Sequence, residues 1–418
     1  MEHLLFLAHR IPYPPNKGDK IRSWHLLKHL AKRYTVHLGT FVDDPDDWQY
    51  VDKVKAVCGE TAFVRLDPRM AKLRSLGGLV AGRPLSLDYY RDGAMNDWVS
   101  QVVARHAITR TVVFSSAMAQ FTGGFEGMLR ICDFVDVDSD KWAQYAANKR
   151  WPMSWLYRRE GRELLNYERA LAVEFDASLF VSQAEAGLFK QLAPESASRI
   201  GHFNNGVDTD YFSPAHRFDN PYTGSAAAPV LVFTGAMDYW PNVDAVKWFA
   251  SDVFPSVRQQ HAQARFYIVG ARPSAEVLAL GKLPGVVVTG TVDDVRPYIA
   301  FASLAVAPLR IARGIQNKVL EAMAMAKTVI VSPQALEGIS AEPAVELLLA
   351  RDAQEFIAQI SSQLAHHPGP AASLIGQAAR ARVIADYGWD SNLSKVDMLL
   401  NQSSTRAETA ASREAALS

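Results

Sequence analysis

Short apolar segments alternate with helix-like segments along almost the whole chain, and this alternation constrains the fold more than any other feature. The apolar segments have the length and composition of buried strands, and the segments between them have helical spacing. Strands that alternate with helices build parallel sheets with helices on their faces. The pattern pauses at residues 213–229, where Pro, Gly, Ser and Ala dominate, and then restarts. The sequence therefore predicts an α/β protein with two doubly wound domains.

The predicted elements and boundaries follow from this pattern. Strands are predicted at His3–Ala8, Thr35–Thr40, Ala62–Arg65, Thr111–Ser115, Leu129–Phe134, Ala177–Val181, Val230–Thr234, Arg265–Val269, Val286–Thr289, Leu304–Ala307 and Thr328–Ser332. Helices are predicted at Ile21–Arg33, Asn96–Arg105, Trp155–Phe175, Gln183–Leu192, Val243–His261, Asp293–Phe301, Gln316–Met325, Ala353–Leu364, Ser373–Asp386 and Ser391–Asn401. The predicted organisation is a first domain (1–212), a linker (213–229), a second domain (230–386), a helix (387–401) that returns to the first domain, and a disordered tail (402–418).

Composition excludes several classes of protein. The 418 residues include 44 basic and 44 acidic side chains, and a balanced charge argues against binding driven by neutralising nucleic-acid phosphates. Cys58 and Cys132 stand far apart, which fits a reducing compartment and no disulfide. No apolar run reaches the length of a membrane span, and the run Leu4–Ala8 is a strand rather than part of a signal peptide. A cytoplasmic protein is predicted.

Two segments combine basic residues with aromatic or apolar ones, as helices that lie on anionic membranes do. Lys149–Arg162 is the stronger of the two, because it carries Trp151 and Trp155 among several Arg residues, and Arg69–Val80 is the weaker. An ordinary surface helix that turns its aromatics into the core has the same composition. Both interpretations stay open, and the first predicts a peripheral protein on the inner face of the membrane.

The stretch Leu304–Gly338 has the pattern of a nucleotide site. A predicted strand leads through a polar loop into a helix that carries Lys318 and Glu321. Backbone N–H groups at a helix N-terminus attract phosphate, and Lys318 adds a positive charge there. Glu321, about one turn further along, can accept two hydroxyl hydrogen bonds, such as those of a ribose diol. A solvated Lys–Glu pair on a surface helix is the alternative.

Four stretches, in this order, carry a family resemblance: HRIPYPPNKGDKIRSWHLLKHLA, FNNGVDTDYFSP, PVLVFTGAMDYWPNVDAVKWF and GIQNKVLEAMAMAKTVIV. The chain resembles a retaining glycosyltransferase of family 4. DFVDVDSDKWAQYA and GIQNKVLEAMAMAK look closer still to sugar transferases of bacterial exopolysaccharide assembly. The resemblance implies the GT-B fold, in which two Rossmann-like domains face a cleft. It also implies a nucleotide-diphosphate-sugar donor, a glycan or polyprenyl-linked acceptor, and neither a metal nor a cofactor.

The resemblance also assigns site residues. The implied donor-binding residues are Arg310, Arg313, Gly314, Ile315, Gln316, Asn317, Lys318 and Glu321. The implied catalytic residues are Gly18, Asp133 and Lys318. The chain departs from the family pattern where Arg313 stands in place of the first of two glutamates. It departs again after Val230–Thr234, where the usual Arg–Lys phosphate pair is missing and Lys318, with Arg310, is the expected replacement.

Other interpretations of the same residues remain. Asp136 and Asp138 resemble the metal-binding DxD motif of another glycosyltransferase fold, but the two-domain alternation resembles the metal-independent one. An N-cap near Ser139 is a purely structural reading of this segment. The rival functions are a GT-B epimerase or phosphorylase-like enzyme and a non-catalytic sugar-nucleotide-binding subunit. A Rossmann dehydrogenase is disfavoured because no GxGxxG follows the first strand.

Overall fold

The chain forms two compact units. The computed structural model describes residues 1–15, 17–125, 127–147, 149–222, 228–312, 315–366 and 373–401. The first unit comprises Met1–Asn205 together with the C-terminal stretch that begins at Asn392, and the second comprises Gly206–Ser391. The predicted disordered tail, 402–418, lies outside the described residues.

The first unit contains a seven-stranded sheet in the order β3-β2-β1-β4-β5-β6-β7, in which all the paired strands are parallel. Its strands are β1 (Glu2–Ala8), β2 (Tyr34–Val42), β3 (Thr61–Arg65), β4 (Arg110–Phe114), β5 (Leu129–Val135), β6 (Ala177–Phe180) and β7 (Ile200–His202). The predicted strands of this half are confirmed. β7 was missed because it is three residues long and only Ile200 in it is fully buried.

Helices cover this first sheet. They are α1 (Gly18–Ala31), α2 (Val51–Lys55), α3 (Pro68–Ser75), α4 (Gly77–Ala81), α5 (Leu85–Tyr90), α6 (Gly93–His106), α7 (Asp138–Ala147), α8 (Met153–Glu174) and α9 (Gln183–Leu192). The Ser182 side chain caps α9 by accepting the Glu185 N–H, and Asp92 caps α6 through the Met95 N–H. The last helix, residues 389–401, packs on this unit through Asp397, whose carboxylate lies 2.9 Å from His29 Nε2.

The second unit contains a six-stranded sheet in the order β10-β9-β8-β11-β12-β13, again with all the paired strands parallel. Its strands are β8 (Val230–Thr234), β9 (Arg265–Val269), β10 (Val286–Gly290), β11 (Leu304–Ala307), β12 (Val329–Val331) and β13 (Leu348–Leu349). Both sheets reverse their strand order beside the first strand of the unit, as doubly wound nucleotide-binding folds do. The predicted fold class is confirmed.

The helices of the second unit are α10 (Trp240–Trp248), α11 (Phe254–Gln260), α12 (Ala275–Leu280), α13 (Arg296–Phe301), α14 (Asn317–Ala324), α15 (Pro333–Leu336), α16 (Ala353–His366) and α17 (Leu374–Asp386). The single helix predicted at Val243–His261 is interrupted by a π-helical segment at Phe249–Val253. Pro255 explains the break, because a proline cannot donate the backbone hydrogen bond that a continuous helix requires.

The segment between the two sheets belongs to the second unit. Val207, predicted within the first domain, is buried and its N–H donates to the Tyr387 carbonyl at 2.8 Å. In the predicted linker, Phe218 and Tyr222 pack on the second hydrophobic core. The apolar anchors hidden in this Pro- and Gly-rich sequence therefore attach it to the second sheet as far as residue 222.

Among the described residues, no helix is both long and apolar enough to cross a membrane.

Candidate functional site

The main candidate site lies in the second unit, where α14 begins beyond the carboxyl ends of β8 and β11. These two strands are hydrogen-bonded neighbours, so the loops that follow them lie at one edge of the sheet. Lys318, in the first turn of α14, points to this edge, and its Nζ donates to Asn242 Oδ1 at 2.8 Å. Asn242, on α10, is buried and its Nδ2 donates to the Ala236 carbonyl at 2.8 Å. The amide of Asn242 therefore fixes the ammonium group of Lys318.

Two glycines make room for this arrangement. Gly235 follows β8 with a φ of +154°, and a Cβ there would lie 2.8 Å from Asn242 Nδ2 and 3.3 Å from Lys318 Cε. Gly270 follows β9 with a φ of +153°, and a Cβ there would lie 1.7 Å from the Gly235 carbonyl oxygen. Only glycine fits at either position, because any side chain would collide with fixed atoms in a backbone conformation that L-residues avoid.

The N-terminus of α14 places its backbone N–H groups at the same edge. Gln316 is the N-cap residue with an extended backbone, and its carbonyl accepts the Val319 N–H at 2.9 Å. Ile315, Gln316 and Asn317 are all partly exposed. The first turn of an α-helix has N–H groups without intrahelical partners, and these attract anions. Arg313 and Gly314, two of the predicted donor contacts, lie outside the described residues.

Burial changes the protonation of the two charged groups on this helix. Burial lowers the pKa of Lys318 to about 8, although the charge of Glu321 opposes this shift. Burial likewise raises the pKa of Glu321 to about 7, and Lys318 opposes it. Charged groups so shifted toward neutrality at the edge of a sheet are typical of functional sites. Both residues are partly exposed, and the alternative of a solvated Lys–Glu pair stays open.

Arg310 is held by a partner of its own. Its Nε donates to Asp244 Oδ2 at 2.9 Å, and its Nη2 bonds to the other carboxylate oxygen. The guanidinium is about half exposed. The charge of Arg310 is therefore paired in this structure. Of the predicted cations that the structure describes, Lys318 is the one that lies among the glycines and the helix terminus.

The structure changes the interpretation of Gly18 and Asp133 in the first unit. Gly18 opens α1 without a positive φ, and a Cβ there would meet nothing within 4 Å. Asp133 is 1% exposed and accepts Arg22 Nε at 2.7 Å and Arg22 Nη2 at 3.0 Å. Arg22 Nη1 also donates to the Phe203 carbonyl at 3.0 Å. Both carboxylate oxygens of Asp133 are thus engaged with Arg22 within the core, and its catalytic role stays a prediction.

The predicted metal motif is also engaged. Lys141 Nζ donates to Asp136 Oδ2 at 2.7 Å and to Asp138 Oδ1 at 3.1 Å. Ser139 lies inside α7 rather than at its N-cap, and its hydroxyl donates to Glu168 at 2.5 Å. The pair of aspartates therefore binds an internal ammonium group, and the absence of a metal from the reaction stays a prediction.

One histidine group among the described residues is compact enough to suggest a metal ion. His3, His37 and His106 have ligand atoms within 4.8 Å of one another. Their rings are stacked, however, and His37 Nδ1 accepts the Glu60 N–H at 3.1 Å while its Nε2 lies 2.8 Å from His3 Nδ1. Both nitrogens of His37 are therefore engaged in hydrogen bonds in this structure.

Sequence reasoning missed Asn242, Gly235 and Gly270. Each follows a predicted strand of the second domain, so its position after a strand end was the available signal. Nothing in the sequence around Asn242 indicated that its neutral side-chain amide would bind Lys318, which is 76 residues away. The missing Arg–Lys pair in this loop was noticed, but the hydrogen bond that holds Lys318 on Asn242 was seen only in the structure.

Comparison with known proteins agrees with this geometry. Residues 228–366 match the family model described as Glycosyl transferases group 1. A comparison with curated protein sequences found no match.

Solved structures similar to this chain include a glycosyltransferase from Rickettsia africae, at 13% identity and a TM-score of 0.64, covering 96% of this chain and 98% of that one. They also include the Anabaena protein HepE in complex with UDP, at 16% identity and a TM-score of 0.62, covering 96% and 100%. A sucrose-phosphate synthase from Thermosynechococcus elongatus has 16% identity and a TM-score of 0.61, covering 96% and 99%. The chain thus has the GT-B fold of these solved structures, and its residues 228–366 match the glycosyl transferases group 1 model.

Proposed function

We propose that the protein is a glycosyltransferase that uses a nucleotide-diphosphate sugar as its donor. The observation that carries this proposal is the arrangement of Lys318, Asn242 and Glu321 at the start of α14. A cation and helix N–H groups lie where a diphosphate would bind, and a carboxylate lies one turn deeper, where it would accept ribose hydroxyls. The family match over residues 228–366 and the complex of HepE with UDP support the same ligand class.

The chemistry follows from the charges at this edge. As the bond between the donor sugar and the diphosphate breaks, negative charge grows on the leaving phosphate oxygen. Lys318 and the first N–H groups of α14 would stabilise that charge, and electrostatic stabilisation of this kind is usually the largest contribution to catalysis. This mechanism requires neither a metal nor a cofactor. Retention of anomeric configuration remains part of the proposal, on the strength of the family resemblance.

We base the proposed acceptor and cellular location on exposed residues of the first unit. Trp151 is 81% exposed and Trp155 is 54% exposed near the start of α8, among the basic residues of Lys149–Arg162. Exposed aromatic rings beside Arg and Lys suit the surface of an anionic membrane. We propose that this surface brings the enzyme to a lipid-linked glycan acceptor in exopolysaccharide synthesis, on the cytoplasmic face of the membrane.

Turnover and membrane binding are tested separately. Purified protein is incubated with UDP-, GDP- and ADP-sugars and a lipid-linked glycan as acceptor, and release of the free nucleotide is measured with and without EDTA. Release from one donor that is lost in Lys318→Met supports the transferase, whereas nucleotide binding without any release favours the non-catalytic subunit. Co-sedimentation with phosphatidylglycerol vesicles should fall in the double variant Trp151→Ala/Trp155→Ala but not in the control Trp48→Ala. Equal sedimentation of the three proteins would refute the membrane surface.

A further inference from the structure

Three histidines of the first unit meet on one face of its sheet, away from the carboxyl ends of the strands, where doubly wound folds bind their ligands. His3 lies near the start of β1, opposite Thr35, and His37 lies on β2, opposite Leu5. Because paired residues and residues two apart share a face of a sheet, both imidazoles project from the same face. α6 ends at His106, whose ring centroid lies 4.3 Å from that of His37. Three elements that are distant in sequence therefore bring one imidazole each to one point.

The three rings are close enough to share one metal ion. One ring nitrogen of each histidine lies within 4.8 Å of those of the other two, and His3 Nδ1 is 2.8 Å from His37 Nε2. A tetrahedral zinc ion, with bonds of about 2.0–2.1 Å to nitrogen, holds its ligand atoms about 3.3 Å apart. This spacing falls between the two observed distances. Small rotations of the rings about their Cβ–Cγ bonds would therefore bring three nitrogens to one ion.

Two of the rings already have the protonation that a metal requires. His37 Nδ1 accepts the Glu60 N–H at 3.1 Å, so the proton of a neutral His37 is on Nε2 and is donated to His3 Nδ1. His106 Nε2 lies 2.6 Å from Glu60 Oε1, so this nitrogen carries the proton that the carboxylate accepts. In their neutral forms, His3 and His106 therefore carry a lone pair on Nδ1, which is a common metal-ligating atom.

His37 is the ring that has to change when a metal binds. A metal ion at Nε2 moves the proton of the ring to Nδ1, and the hydrogen bond from the Glu60 N–H is lost. Glu60 is partly exposed, so water replaces this partner. The cost is one neutral hydrogen bond, which is small beside the bonds that zinc forms with three imidazoles.

The loop before β3 supports the rings in the way that outer residues of metal sites do. Glu60 holds His106 through Oε1, and its Oε2 accepts Arg105 Nη1 at 2.6 Å. A carboxylate that accepts the second N–H of a ligating histidine fixes the ring and strengthens it as a ligand. Gly59 packs on His37, because a Cβ at Gly59 would lie 3.1 Å from His37 Cε1. The carboxylate and the glycine thus hold two of the three rings.

The ligand atoms and their exposure decide which ion suits the site. Mg²⁺ and Ca²⁺ prefer oxygen ligands, whereas imidazole nitrogen suits Zn²⁺, Cu²⁺ and Ni²⁺. His37 is 1% exposed, but His3 and His106 are both partly exposed. The two outer rings give an ion a path from solvent, and they leave the fourth position of a tetrahedron to water.

We propose that His3, His37 and His106 bind one Zn²⁺ ion, which ties β1, β2 and α6 together. The site lies in the first unit, whereas the candidate donor site lies in the second, and the ion takes no part in sugar transfer. The inference therefore goes beyond the proposed function and does not depend on it.

Zinc binding is measured on the full chain, free of any purification tag and stripped of metal with EDTA before dialysis. Calorimetric titration with ZnCl₂ should show one ion per chain and a micromolar Kd, and MgCl₂ should show no binding. Saturating zinc should raise the midpoint of thermal unfolding, because the ion binds the folded chain. Co²⁺ gives a second readout, since a tetrahedral Co²⁺ ion with nitrogen ligands absorbs visible light.

His3→Gln and His106→Gln are the informative variants, because both rings are partly exposed and their removal should leave the core folded. Each should weaken zinc binding at least 100-fold and remove the rise in the unfolding midpoint. Glu60→Gln should weaken binding about tenfold, as loss of an outer carboxylate does. His366→Gln, which replaces an exposed histidine of the second unit, is the matched control and should bind zinc as the parent does. Circular dichroism checks that each variant is folded.

The outcomes separate this inference from the proposed function. The absence of zinc binding tighter than about 100 µM in the parent would overturn the inference. So would equal zinc binding by His366→Gln and the double variant His3→Gln/His106→Gln, since the ion would then be held adventitiously elsewhere. Titration with UDP, GDP and ADP in EDTA reports the donor site and should be unchanged in His106→Gln. A protein that binds zinc but no nucleotide would refute the proposed function and leave the metal site standing.

Discussion

Nucleotide binding should depend on pH because the cation at the donor site is only partly protonated above neutrality. The pKa of Lys318 is lowered to about 8 by burial, and its hydrogen-bond partner, Asn242, is neutral. A bound diphosphate would restore the charged form, since an adjacent anion raises the pKa of an ammonium group. Binding should therefore take up a proton at Lys318 when the pH is at or above about 8.

The magnitude follows from the fraction of charged Lys318. With a pKa of about 8, roughly nine-tenths of the lysines are charged at pH 7 and roughly one-tenth at pH 9. If only the charged form binds diphosphate, affinity should fall about tenfold between these pH values, which is about 1.4 kcal/mol. On the acid side, Glu321, whose pKa is raised to about 7, loses its charge as the pH falls, so affinity should be greatest between about pH 7 and 8.

Calorimetric titration with the preferred nucleoside diphosphate at half-unit steps from pH 6 to 9.5 measures this profile. Buffers of different ionisation enthalpy report the proton uptake independently. Lys318→Arg should lose the alkaline limb, because a guanidinium stays charged throughout this range. Asn242→Asp should also flatten that limb by keeping the ammonium charged, and it should weaken binding by neutralising the charge for the ligand. An affinity that is constant from pH 7 to 9 in the parent protein would refute this reasoning.

Three further predictions concern the first unit. Burial and the neighbouring histidines lower the pKa of His37 from its ordinary 6.5 to about 4, so the stability present above pH 6.5 should be lost as the pH falls toward 4. Urea unfolding at a series of pH values should show a loss in the free energy of unfolding of up to about 3 kcal/mol, and this loss should be absent in His37→Gln. Asp133→Asn should lower the free energy of unfolding by about 3–5 kcal/mol, because Arg22 would be left buried without its carboxylate partner. Unchanged stability together with lost turnover would instead support a catalytic role for Asp133. EDTA should leave sugar transfer intact, since the ammonium of Lys141 already bridges Asp136 and Asp138; a strict requirement for Mg²⁺ would show that a metal displaces this ammonium.

Local patterns allowed most of the fold to be predicted. Strands buried on both faces are nearly continuous apolar runs, and β1 and β8 could be placed because they have this form. The short edge strand β13 could not be placed, because two residues in a strand carry no period. The predicted linker is a related case. Its composition is that of a loop, yet Phe218 and Tyr222 attach it to the second core.

The candidate site could be predicted only where it is local in sequence. Lys318 and Glu321 share one turn of one helix, so their relation to a helix N-terminus was visible before the structure. The partners of Lys318 and Asp133 could not be seen, because Asn242 is 76 residues from the first and Arg22 is 111 residues from the second. The sequence around Asp133 fits both a catalytic carboxylate and half of a buried ion pair with Arg22. Only tertiary packing shows that the ion pair forms.

The central claim is that the start of α14 binds a nucleoside diphosphate. Calorimetric titration with UDP, GDP and ADP in the presence of EDTA tests it on the parent protein, on Glu321→Ala and on the control Glu337→Ala, which removes an exposed glutamate of the same unit. We predict micromolar binding of one nucleotide that is weakened about tenfold or more in Glu321→Ala, from the loss of charge-assisted hydrogen bonds worth roughly 1.5–3 kcal/mol each, and is unchanged in the control. No binding of any of the three nucleotides, or equal binding by Glu321→Ala and Glu337→Ala, would contradict the account.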